Sequence, residues 1–346
     1  MISIAMFNNK GGVGKTTLTC NIASFFAIEY KYDVVVIDCD PQCNATQLIM
    51  GQDYTTDFYW YGRIGQDITT IKHILQPLAD GDSIISNEVK PVNYDANRFG
   101  VDLIPGHPSF SIIEDRLGTA WNELKSGTPA GIRQTNWNTQ LCEALDDIYD
   151  LAFFDLGPSL GSINRSVLVG CDRFITPMAA DIFSILGVRN IKEWIDRWME
   201  EYEDGLSRWR KSDRAGMSKY TLKNPLDIDR GYVGYTMQQY ITKTVSKGKK
   251  RPIKAYEDII QDVPKIIDET LGDFLPDHID INRANIGDIP QLYSLIPLAQ
   301  SSSVPVYRLS SKDGLVGSQF KQRDTFAETI ELIVDRLSEN LNLEDD

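Results

Sequence analysis

No apolar run in this sequence approaches the roughly 20 residues that a membrane-spanning helix needs. Histidine is scarce: His73, His107 and His278 show no metal-ligand spacing, so surface or capping roles are expected of them. The five cysteines (Cys20, Cys39, Cys43, Cys142, Cys171) include no C-x-x-C pair. Their odd number suits buried, reduced thiols better than a disulfide framework. Positive charge is also short, with 35 Lys and Arg against 49 Asp and Glu, a formal net charge of −14. Generic coating of nucleic acid by a basic surface is thereby excluded. Met1 leads straight into Ile-Ser-Ile-Ala-Met-Phe without a basic region and cleavage site, so a cytoplasmic location is expected.

What is present is the composition of a globular chain: 346 residues, 42% hydrophobic and 24% charged. A chain of this length buries about 75% of its unfolded surface. Apolar runs of strand length at 2–7, 33–37, 101–104, 151–154, 173–176, 232–236 and 293–296 alternate with segments of helical period. Several are apolar throughout, as strands covered on both faces must be. The fold class expected is α/β: a doubly wound, mostly parallel sheet with helices on both faces. The clearest helix carries Ile191, Trp194, Ile195, Trp198, Met199 and Tyr202 on one stripe, which is core or dimer contact. A C-terminal helix presents Phe326, Ile330, Ile333 and Leu337. Segments 52–100 and 204–230 fit the alternation poorly and are read as elaborations on a single domain spanning 1–346, and 338–346 as an acidic, frayed tail.

The segment Phe7-Asn8-Asn9-Lys10-Gly11-Gly12-Val13-Gly14-Lys15-Thr16-Thr17 lies between a strand and a helix. Glycines there let successive N–H groups and a helix N-terminus converge on an anion. Lys15 can then reach β and γ phosphates, and the Thr16 hydroxyl can ligate Mg²⁺. Asn9 occupies the first glycine position of G-x-x-x-x-G-K-[ST], and Lys10 is an additional lysine.

K-G-G-x-G-K-T-T is the deviant Walker A sequence, and here the chain resembles the ParA/MinD group of P-loop ATPases. Asp38-Cys39-Asp40-Pro41-Gln42-Cys43-Asn44-Ala45-Thr46 resembles the ParA motif D-x-D-P-Q-x-N-A-T, and Leu151 to Gly161, an apolar strand ending in Asp155-Leu156-Gly157-Pro158-Ser159-Leu160-Gly161, resembles the Walker B. The resemblance implies Mg²⁺-ATP, held by Gly11, Gly12, Val13, Gly14, Lys15, Thr16 and Thr17. It implies Thr16, Asp38 and Asp155 as metal-side residues. Asp40 becomes the residue that orients the attacking water, and Lys10 crosses a two-fold interface to the partner's nucleotide. Gln238 and Pro297 are placed by the family's layout near the adenine. An ATP-dependent homodimer and an adaptor that stimulates hydrolysis follow as partners.

Segment 231–256 holds no acidic residue but carries Lys243, Lys247, Lys249, Lys250, Arg251 and Lys254. This is a local positive patch, and dimerisation doubles it, which suits non-specific, salt-sensitive DNA binding and association with the nucleoid. A solvated loop is the alternative. The chain ends Asn-Leu-Asn-Leu-Glu-Asp-Asp, unlike the basic amphipathic helix that membrane targeting requires. The expected function is a ParA-like ATPase driving a DNA partition or cargo-positioning cycle. The alternatives are a biosynthetic ligase or amidotransfer-type enzyme of the same P-loop class, and a regulatory subunit without DNA binding.

Overall fold

The computed structural model describes residues 1–62, 68–238, 242–245, 249–252 and 254–343, with backbone alone for 242–245, 249–252 and 254–260. In chain order, β1 (Ile2–Met6) and α1 (Lys15–Ile28) lead to β2 (Val34–Asp38). Helices α2 (Asn44–Met50), α3 (Gln52–Tyr59) and α4 (Ile71–Ala79) precede β3 (Asp102–Ile104). Then come α5 (Ser111–Lys125), α6 (Pro129–Thr135), α7 (Trp137–Leu145) and β4 (Leu151–Asp155). Next are α8 (Ser162–Gly170), β5 (Arg173–Ala179), α9 (Ile182–Ser212), α10 (Arg214–Met217) and β6 (Tyr232–Gln238). The hairpin β7 (Thr242–Val245) and β8 (Lys249–Pro252) is followed by α11 (Lys254–Leu271), β9 (Asn285–Ile289), α12 (Leu295–Ser302) and α13 (Gln319–Leu341).

Among the described residues, seven strands form one sheet in the order β3-β2-β4-β1-β5-β6-β9, and every pairing in it is parallel. Val34-Val35-Val36-Ile37 and Leu151-Ala152-Phe153-Phe154 are buried throughout, which is why their sequences read as unbroken apolar runs. From β1 the chain moves first toward β3 and then back toward β9. Right-handed crossovers therefore put α1 on one face and α5, α8, α9 and α11 on the other. The doubly wound fold expected from the sequence is the one observed. Among the described residues no helix is long and apolar enough to cross a membrane.

Three local expectations are corrected. Residues 293–296 are not the seventh strand: Tyr293 has a left-handed φ of 39°, and Leu295 begins α12. The strand is β9, Asn-Ile-Gly-Asp-Ile, whose polar letters hide an edge strand with apolar burial at Ile286 and Ile289. Segment 204–230 does not begin as an irregular insertion, because α9 continues to Ser212 with Leu206 and Trp209 buried in line with Ile191, Ile195, Trp198 and Tyr202. That stripe is core. The tail is docked through Leu341: Asn340 Nδ2 donates to Val233 O at 2.9 Å, and Ser338, Asn340 and Leu341 are buried. Residues 344–346 lie outside the described residues.

Candidate active site

β2, β4 and β1 lie side by side and end together, with Asp38 in register with Asp155 and Asp155 in register with Met6. The loop that follows β1 is tied down by Asn8. Its Nδ2 donates to Pro177 O of β5 at 2.7 Å, and its Oδ1 accepts from Lys10 N at 2.9 Å. Gly12 and Gly14 both take φ 76°, a left-handed conformation that costs other L-residues about 1–2 kcal/mol. A Cβ at Gly14 would also lie 2.8 Å from Gln238 Nε2. Gly14 is the N-cap of α1 and brings no side-chain cap, so the first N–H groups of the helix face the loop.

Lys15 is buried and folds back over the turn, its Nζ donating to Asn8 O at 2.9 Å and Lys10 O at 3.1 Å. Burial lowers its pKa from the ordinary lysine value, against the pull of the Asp155 and Asp40 carboxylates. Asp155 Oδ2 accepts from Thr16 Oγ1 at 2.8 Å. Asp38 Oδ2 accepts from both Thr46 N (2.8 Å) and Thr46 Oγ1 (2.6 Å), and Asp38 Oδ1 from Asp40 N at 3.2 Å. Asp40 Oδ1 accepts from Gln42 N at 2.9 Å. Asp38 and Asp155 are fully buried. Burial raises both carboxyls above the usual range, and repulsion from neighbouring carboxylates adds to it while hydrogen bonds from Thr46 and Thr16 oppose it.

Such a set is short of positive charge. Among the described residues no group of three or more His, Cys, Asp or Glu forms a metal cage. The hard oxygens of Thr16, Asp155 and Asp38 instead fit Mg²⁺, which takes one or two carboxylates and draws its other ligands from phosphate and water.

Lys10 stands apart from Lys15. Its ammonium is ion-paired with Asp181 Oδ2, while Asp181 Oδ1 caps α9 by accepting from Phe183 N (2.9 Å) and Ser184 N (3.1 Å). Two cavities flank the loop. One of about 410 Å³ is lined by Gly12, Gly14, Leu18, Gln238, Leu292 and Tyr293. The other, about 650 Å³, is lined by Gly11, Lys15, Thr16, Asp40, Pro297 and Gln300. Gln238 and Pro297 thus line different cavities, and the segment Pro290 to Tyr293 that closes the first was missed by sequence reasoning because 293–296 reads as a strand. Asn8, Thr46 and Asp181 were also missed as site residues. Thr46 stood inside a motif and had a signal; Asp181 had little.

Of the basic residues, Lys243 lies on β7, Lys249, Lys250 and Arg251 on β8, and Lys254 opens α11; Lys247 lies outside the described residues. The antiparallel register pairs Lys243 with Arg251. His73 and His107 cap local turns, accepting from Thr70 N (3.2 Å) and Ser109 N (3.0 Å). All five cysteines are free, and all but Cys142 are buried.

A parallel sheet whose central strand feeds a glycine turn, a lysine folded over that turn and paired carboxylates at the neighbouring strand ends defines a P-loop nucleotide-binding protein, here with a second lysine in the loop. The family described as AAA domain matches residues 1–207. The chain belongs to that family and, within it, to the ParA/MinD-type ATPases. The solved structure of protein DIP2308 from Corynebacterium diphtheriae is similar over 99% of both chains, with 31% identity and a TM-score of 0.73. The virulence plasmid ParA family protein pGP5-D of Chlamydia psittaci is 28% identical over 194 residues, 56% of this chain and 63% of that one. The chromosome-partitioning ATPase Soj of Thermus thermophilus is 31% identical over 189 residues, 54% of this chain and 59% of that one. The chain spans about three fifths of the length of these two relatives.

Proposed function

We propose that this chain is an ATP-dependent switch for DNA partition or cargo positioning: ATP closes two copies into a sandwich dimer, and slow hydrolysis reopens it. The observation that carries this reading is the convergence of Lys15, Thr16, Asp155, Asp38 and Asp40 on one loop while Lys10 pairs elsewhere. The similarity to Soj, a chromosome-partitioning ATPase, and to pGP5-D, a plasmid ParA family protein, supports it.

In this reading Lys15 and the α1 N–H groups hold the β and γ phosphates. Thr16, Asp155 and Asp38 would hold Mg²⁺, which when bound neutralises charge on those phosphates. Asp40, anchored by Gln42 N, orients the attacking water, a positioning role that suffices because phosphoryl transfer asks little covalent chemistry of the protein. Lys10 of one copy offsets transition-state charge at the nucleotide of the other. Gln238 and the Leu292–Tyr293 segment take the adenine in the smaller cavity, with Pro297 bordering the larger. The chain acts as one P-loop unit over 1–346, in the cytoplasm, with an adaptor protein stimulating hydrolysis. The basic segment at Lys243, Lys247, Lys249, Lys250, Arg251 and Lys254 contacts DNA phosphates without sequence preference, and the dimer doubles that contact.

The test is light scattering of the Asp40→Ala protein with Mg²⁺-ATP, expected to show a long-lived dimer. A monomer at every ATP concentration rejects the switch. For DNA, charge reversal at Lys249, Lys250 and Arg251 to Glu should abolish ATP-dependent binding to random duplex, and unchanged affinity rejects that role.

A further inference from the structure

Asp38 is held by a chain of hydrogen bonds that runs well outside its own motif. Thr46 Oγ1 donates to Asp38 Oδ2 at 2.6 Å and accepts from Gly106 N at 2.9 Å. The carbonyl of the same Gly106 accepts from Tyr59 Oη at 2.6 Å. Gly106 lies just past β3, so the loop between β3 and α5 bridges the end of α3 to the end of β2. The approach is close: a Cβ at Gly106 would stand 3.0 Å from Asp38 Cγ and 3.0 Å from Cys43 Sγ. The Tyr59 ring is itself wedged edge-on, 4.8 Å from the Phe58 ring centre and 5.8 Å from that of His107.

A carboxylate turns easily about its last torsion, so its facing is set by what it is bonded to. Thr46 occupies Asp38 Oδ2 twice, with its amide and its hydroxyl. Oδ1 carries one longer bond, 3.2 Å from Asp40 N. Whichever oxygen Asp38 presents toward a cation is therefore decided by Thr46, and Thr46 in turn is seated on the Gly106 peptide. Outer-shell partners of this kind tune metal affinity by about 10–100-fold when removed.

We propose that Tyr59 is a positioning residue of the hydrolytic centre: by holding Gly106 through its carbonyl, it keeps the amide of the same residue on Thr46 and so fixes which oxygen Asp38 offers to the divalent cation beside the nucleotide. This rests on the Mg²⁺-nucleotide reading above. It gives α3, in a segment the alternating pattern left unexplained, a place in the chemistry.

The experiment uses full-length protein and calorimetry with the slowly hydrolysed analogue ATPγS, first in EDTA and then titrated with Mg²⁺ at saturating nucleotide. Tyr59→Phe keeps the ring and removes the one donor. It should leave the thermal midpoint and the metal-free nucleotide affinity at wild-type values while raising the Mg²⁺ concentration for half-saturation roughly tenfold. Gly106→Ala, which presses a methyl on Asp38, should raise it as well. Wild-type Mg²⁺ affinity in Tyr59→Phe overturns the proposal and leaves the nucleotide reading intact. Equal loss of metal-free nucleotide affinity also overturns it, marking Tyr59 as packing only. If the wild-type protein itself binds ATPγS without regard to Mg²⁺, the nucleotide reading falls and takes Tyr59 with it.

Discussion

Lys10 and Asp181 are ion-paired across 171 residues, joining the loop after β1 to the first turn of α9. In the sandwich dimer proposed above, Lys10 would have to leave this partner to reach a second copy's nucleotide. Both side chains are partly exposed, 30% and 25%, and such pairs are worth about 0–1 kcal/mol. Asp181→Asn keeps an N-cap acceptor and removes the charge. In an Asp40→Ala background with ATP, it should tighten dimerisation by up to about 30-fold, the equivalent of the two such pairs that a two-fold dimer breaks. Sedimentation measures the dimer constant, and no change would show that the pair does not oppose association.

Lys15 and Asp40 should separate binding from hydrolysis. Lys15→Ala removes the ammonium that folds over the turn, and nucleotide affinity should fall by about 2–5 kcal/mol. Asp40→Ala should leave binding close to wild type and lower kcat by about 100-fold or more. Calorimetry and phosphate release report the two separately; a parallel loss of both in Asp40→Ala would contradict its assigned role.

Asp172 and Lys223 give a pH prediction. Burial acts to raise Asp172, but the Lys223 ion pair and hydrogen bonds from Lys223 and Ser3 outweigh it, so its carboxyl titrates below 3.8. A depressed folded value means stability that is present above the unfolded pKa and lost as pH falls through the folded one. Asp172→Asn should therefore cost about 1–3 kcal/mol at neutral pH, with the gap to wild type closing below about pH 4. Lys223 has the opposite sign: burial lowers it, yet Asp172 and Asp227 carry it above 10.5. Its contribution is full below the ordinary lysine pKa and is lost as pH rises through the raised one. Urea unfolding across the acid and alkaline ranges checks both limbs.

Gly287 lies where α13 crosses β9, and a Cβ there would stand 2.4 Å from Ile333 Cγ1. Gly287→Ala should destabilise by about 1–3 kcal/mol through overpacking, and Gly287→Ala with Ile333→Val should recover part of it. A neutral Gly287→Ala in urea unfolding would remove β9 from its assigned place.

The strands that lie inside the sheet were legible because burial on both faces leaves no room for polar letters; the runs read at 33–37 and 151–154 fall within one residue of β2 and β4. β9 was not, since an edge strand keeps Asn285 and Asp288, and the more apolar 293–296 took its place in the reading. α9 was seen from its apolar stripe, but its length was not, because Asp204 and Arg208 on the outer side resemble a break in the pattern. In the site, the glycine turn and both aspartate motifs were visible as contiguous residues. The lining of the smaller cavity beyond Gln238 was not, as it comes from a loop whose chain direction depends on β9.

By itself the sequence determined the phosphate loop, the carboxylates at two strand ends and the parallel α/β class, because each is encoded by neighbouring residues whose geometry follows from local backbone rules. Only the tertiary structure decided that Lys10 meets Asp181, that Tyr59 reaches Asp38 through Gly106 and Thr46, and that a polar pentapeptide completes the sheet. Those relations join residues far apart in the chain, and they exist because packing of the helices on the sheet leaves one place for each group to be satisfied.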